Sequence, residues 1–111
     1  MRLGMGVPKT VLAPRREARV PIEMAVQISG HAEFPETETT FTENVSARGA
    51  RVWTAHPWKA GAQLILSTLP GSFRSVARVA YCQSVRGTGY AVGVEFVEYA
   101  GTWIISAETA T

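Results

Sequence analysis

Arg15 and Arg19 stand four positions apart in the run Arg15-Arg16-Glu17-Ala18-Arg19, an RxxxR pattern. A guanidinium pairs with phosphate, bonds two acceptors on a guanine edge at once, and stacks on a flat purine face. A lysine ammonium would supply only a point charge. Residues four apart share one face of a helical turn, and residues an even number apart also point the same way along a strand. Arg15 and Arg19 therefore converge on one ligand in either geometry, with Arg16 between them. Downstream lies Asn44-Val45-Ser46-Ala47-Arg48-Gly49, a [D/N]xSxxG pattern. On a strand ending near residue 46, Asn44 and Ser46 point to one side and Val45 to the core. An asparagine amide or a serine hydroxyl complements a guanine Watson–Crick edge or a phosphate oxygen. Gly49 lets the chain turn and lets a ligand approach the backbone without a Cβ in the way.

The elements that position these residues read as strands. Val20, Ile22, Met24, Val26 and Ile28 alternate with smaller or polar residues, the period of a strand with one buried face. Thr39 to Ser46 reads as a second strand and Ala50 to Thr54 as a third, with Ala47-Arg48-Gly49 as a hairpin loop whose glycine is left-handed. Val52 lies on one face of the third strand, and Arg51 and Trp53 on the other, where they could flank a ligand. Gln63 to Leu69 is a fourth strand. Arg74 to Val85 is a fifth, with Ala77, Val79, Tyr81 and Val85 toward the core. Tyr90, Val92, Val94 and Phe96 mark the inward face of a sixth. Six short strands with turn signals between them indicate an antiparallel sandwich or barrel, and closure into a barrel would remove exposed edges. Residues 1–14 read as a flexible N-terminal arm and 15–98 as the β-domain. Residues 99–111 read as a short C-terminal segment, either a helix or a packed tail. Trp58 and Trp103 read as core or lid residues.

Composition narrows the function classes. A chain of 111 residues makes one domain and buries a respectable core. Net charge is +2, and five basic residues fall in the first nineteen positions. That is too little charge for a bulk polyelectrolyte binder of DNA or RNA, and it suits a compact anion held at one local cluster. Cys82 is the single cysteine, which excludes an internal disulfide and points to a cytoplasmic address. Cys82, His31 and His56 share no metal-ligand spacing. No apolar run is long enough to insert in a membrane. The chain has no aspartate, so no Ser/His/Asp constellation exists, and no catalytic residue is expected.

The two motifs, in this order, resemble the ligand signature of the PilZ family. Gly49-Ala50-Arg51-Val52, Gly61 before an apolar strand, and Tyr90-Ala91-Val92-Gly93-Val94-Glu95-Phe96 resemble the family's later landmarks, so the resemblance runs from Arg15 to about Val97. It implies an all-β, six-stranded antiparallel barrel without catalytic activity that binds the bacterial second messenger cyclic di-GMP, often as a stacked dimer. Carried over, Arg15 and Arg19 would grip phosphates and guanine edges, Asn44 and Ser46 would read a guanine, and Gly49 would make room. Arg16 falls at a variable position of the motif. Asn44 replaces the commoner aspartate and brings no negative charge toward guanine N–H donors.

The expected function is thus a cyclic di-GMP receptor, with no cofactor, that orders its N-terminal arm on binding and so changes a surface for a protein partner. The alternative is a PilZ-like adaptor that binds no nucleotide, whose expected mark would be loss of the arginines. A single-strand nucleic-acid barrel would need basic and aromatic residues alternating along the strands, and the basic cluster lies in the arm instead.

Overall fold

A computed structural model describes residues 18–87 and 89–105. Six strands follow in chain order: β1 (Ala25–Ser29), β2 (Glu38–Ser46), β3 (Gly49–Thr54), β4 (Gln63–Thr68), β5 (Phe73–Ser84) and β6 (Tyr90–Gly101). They form a closed barrel in the order β1-β2-β3-β6-β5-β4, every neighbouring pair antiparallel. The expected six-stranded antiparallel barrel is the observed fold. Pairing of β4 back onto β1 leaves no open sheet edge. None of the described residues is helical.

The period-two pattern explains most of the interior. In β4, Leu64, Leu66 and Thr68 are buried while Gln63, Ile65 and Ser67 are not. Val26, Ile28, Val45, Val52, Phe73 and Val79 meet these leucines in one core. Removing such side chains from water is the main stabilising contribution, on the order of 1.5–3 kcal/mol for each large apolar residue. Trp58 joins the core at 7% exposure, and Trp103 packs against it from outside.

Four expectations are corrected. β1 begins at Ala25 rather than Val20. Pro21 has no N–H to give a ladder, and the Ile22 N–H turns back to the Val20 carbonyl at 2.8 Å. Thr42 then takes up the bent lead-in: its hydroxyl donates to the Ile22 carbonyl at 2.7 Å and accepts from the Met24 N–H at 3.0 Å.

Gly49 is not a left-handed loop residue. It is the first residue of β3, paired with Ser46, and it lies outside the set of glycines with positive φ. Its glycine requirement comes from packing, because a Cβ there would sit 2.2 Å from the Val94 carbonyl oxygen.

Tyr81 does not face the core. The β5–β6 register shifts between Val79 and Tyr81, so the alternation reverses there. Finally, β6 continues past residue 98 to Gly101, with Tyr99 opposite Ser75. Its last five residues are all exposed, so no alternation of burial marks them as strand.

Candidate functional site

The chain enters the barrel beside the second motif. Val20 and Val45 exchange two backbone hydrogen bonds, N–H to carbonyl at 2.8 and 2.9 Å, as an isolated antiparallel bridge. That bridge sets Arg19 next to Asn44, and Arg19 Nη1 donates to Asn44 Oδ1 at 2.9 Å. A β-bulge between Thr42 and Asn44 decides which way Asn44 points. Thr42 and Val45 are fully buried, an odd spacing that a regular strand does not allow, and the extra residue places Glu43 and Asn44 together on the outer face.

From Asn44 a row of paired residues crosses four strands of the outer surface. Asn44 lies opposite Arg51, Arg51 opposite Gly93, and Gly93 opposite Tyr81. Arg51 is the centre of this row. Its Nη1 donates to the Tyr81 hydroxyl at 3.1 Å and to Gln83 Oε1 at 2.6 Å, and its Nε is ion-paired with the Glu43 carboxylate. The guanidinium carbon also lies 5.7 Å from the Tyr81 ring centre, within cation–π range. The hydrogen bond that Arg51 donates to Tyr81 chiefly holds the Arg51 pKa above its ordinary value, against partial burial and with help from Glu43. Gly93 makes the row possible: a Cβ on it would lie 2.2 Å from the Tyr81 ring. The Tyr81 ring therefore packs closely against a glycine of the neighbouring strand, with the Arg51 cation beside it.

The remaining motif residues lie at the end of β2. Ser46 is only 5% exposed, and its hydroxyl reaches the Gly49 carbonyl at 3.5 Å, the outer limit of a hydrogen bond. The register runs unbroken from Asn44 through Ser46, so Ser46 keeps the face of Asn44, and its low exposure means that this end of the face is covered. Trp103 lies against this position, its indole N–H donating to the Ser46 carbonyl at 2.7 Å.

Arg19, Asn44, Ser46 and Gly49 are thus brought together around one strand end. Arg15, Arg16 and the arm of residues 1–14 lie outside the described residues. Arg78 faces outward in an ion pair with Glu95. His31 serves the loop after β1, where Nε2 meets the Pro57 carbonyl at 2.7 Å and Nδ1 accepts from the Glu33 N–H at 3.0 Å. Among the described residues no group of three His, Cys, Asp or Glu could hold a metal ion. Sequence reasoning missed Glu43, Tyr81 and Gln83 around Arg51, and the contact of Trp103. Gly93 was the available signal for Tyr81, since a glycine inside a strand pattern marks a bulge or a close approach.

The model of the PilZ domain family matches residues 13–102. The chain belongs to the PilZ domain family. No curated protein matches it. Among solved structures, the PilZ barrel is similar to the Bacillus subtilis inhibitor of motility (MotI/DgrA), with a TM-score of 0.66 and 23% identity. The match covers 80% of this chain and 45% of that one, so the PilZ domain described here spans less than half the length of that relative. Among the described residues no helix is long and apolar enough to cross a membrane.

Proposed function

We propose that this PilZ domain is a receptor for cyclic di-GMP that binds the ligand on the outer barrel face where Arg19 meets Asn44, without turning it over. The observation that carries this reading is the 2.9 Å hydrogen bond joining the two motifs across 25 residues of sequence. A ligand with two phosphates and two guanine edges needs planar cations and amide groups at one place, and the contact of Arg19 with Asn44 supports such a place on this face. Arg15 and Arg19 grip phosphate and guanine acceptors, with Arg16 beside them. Asn44 reads a guanine edge, and Ser46 and Gly49 form the adjoining turn. Arg51, fixed by Glu43, Tyr81 and Gln83, flanks the ligand with a guanidinium and an aromatic ring, a surface for purine stacking. The ligand draws the arm onto the barrel face, and the new surface engages a protein partner.

Isothermal titration with cyclic di-GMP, with GTP and cyclic di-AMP as controls, tests the reading. Selective saturable binding at micromolar or better affinity is expected, with a stoichiometry that separates a single ligand from a stacked pair. No heat from the folded protein would overturn the receptor and leave an adaptor that acts through protein contacts alone.

A further inference from the structure

Three consecutive residues of the second motif are each held by an end of the described chain. Arg19 bonds Asn44, Val20 bridges Val45, and Trp103 bonds Ser46. The first two contacts belong to the arm side. The third comes from the opposite end, 57 residues beyond Ser46.

The Trp103 contact is firmly seated. The indole packs on Phe73 with ring centres 4.7 Å apart, and edge-on against Phe96, also at 4.7 Å with an 83° interplanar angle. Phe73 is itself part of the buried core at 1% exposure. The backbone on either side is fastened too: the Thr102 N–H donates to the Ser72 carbonyl at 3.0 Å, and Ile105 is buried. The turn it touches is also held along β6, where the Phe96 N–H donates to the Arg48 carbonyl at 2.9 Å and Gly49 packs closely on Val94. Within the turn, the Ser46 hydroxyl is held by no more than its 3.5 Å contact to Gly49. That long contact costs little to give up, and the Ser46 backbone sets where the hydroxyl lies.

We propose that Trp103 is a positioning residue for the nucleotide site: its indole N–H fixes the Ser46 carbonyl and so sets the turn from Ser46 to Gly49 that the ligand engages. This rests on the cyclic di-GMP reading above. It also makes the C-terminal segment a second reporter of occupancy, because coupling between two contacts on one turn is reciprocal. A ligand that tightens the turn tightens the Trp103 bond, and loss of that bond loosens the ligand.

The test is Trp103→Phe, which keeps an aromatic ring on Phe73 and Phe96 and removes the N–H donor. The chain has three tryptophans, so the indole ¹H–¹⁵N peak missing from the variant identifies Trp103 in the wild-type spectrum. Titration of the wild-type protein with cyclic di-GMP is expected to move that peak with the same midpoint as calorimetry. The variant is expected to bind about five- to tenfold more weakly, the order of effect of one lost hydrogen bond. A purely structural role would lower Tm and leave Kd unchanged. If the wild-type protein binds while the Trp103 peak stays still, or if the folded variant binds within twofold of wild type, the inference fails and the receptor reading stands. If the wild-type protein does not bind, both fall. Should Trp103→Phe not fold, sequential NMR assignment of the wild-type protein identifies the Trp103 peak, and that peak decides alone.

Discussion

Arg19 Nη1 donates to Asn44 Oδ1 at 2.9 Å, and this fixes the orientation of the asparagine amide. A guanidinium has donors only, so the oxygen of Asn44 must face it. The amide NH₂ is then turned away from Arg19, where under the proposed function its donors would meet a guanine O6 or N7. Aspartate at this position would offer acceptors on both sides and address the guanine N–H groups instead. On the proposed reading, the asparagine would change which guanine edge is read while keeping the link between the two motifs.

Arg15→Ala and Arg19→Ala each weaken cyclic di-GMP binding by tenfold or more, since losing one arginine from a charge-paired site costs on the order of 2–5 kcal/mol. Arg19 is exposed, and Tm of the free protein stays nearly constant in its variant. Calorimetry and a thermal melt check both halves. Near-wild-type affinity in both variants excludes the mechanism.

Asn44→Asp retains binding, because a carboxylate still accepts from Arg19. Asn44→Leu loses tenfold or more, because it removes both the link and the amide donors. Equal Kd values for the leucine variant and wild type would remove Asn44 from the site.

Gly49→Ala destabilises the free protein. The new Cβ meets the Val94 carbonyl at 2.2 Å, a clash with backbone that flexible side chains do not relieve. Overpacking of this kind costs about 1–3 kcal/mol, a fall of roughly 5–20 °C in Tm. An unchanged Tm with weakened binding would mean that the glycine serves the ligand rather than the barrel.

Gly93→Ala pushes the Tyr81 ring off the sheet, since the added carbon would lie 2.2 Å from it, and breaks the bond to Arg51. Binding is expected to weaken several-fold in a barrel that still melts cooperatively. Arg51→Ala should reproduce the loss. Wild-type affinity in both variants would confine the ligand to Arg19 and Asn44.

Local pattern by itself determined the strands and left sandwich and barrel both open, and pairing of β4 onto β1 closed the barrel. The alternation of Leu64, Leu66 and Thr68 against Gln63, Ile65 and Ser67 follows from the pleat, which sends successive side chains to opposite faces whatever the neighbours are. The two motifs were likewise legible, because arginine and asparagine carry their chemistry wherever they stand. The tertiary structure decided which side chains meet. The bulges at Glu43 and after Val79 arise from register between paired strands, and each reverses the alternation beyond it, placing Asn44 and Tyr81 on the outer face. The contact of Trp103 with Ser46 depends on where β6 ends on the closed barrel, a property of the whole sheet that no window of sequence around either residue contains.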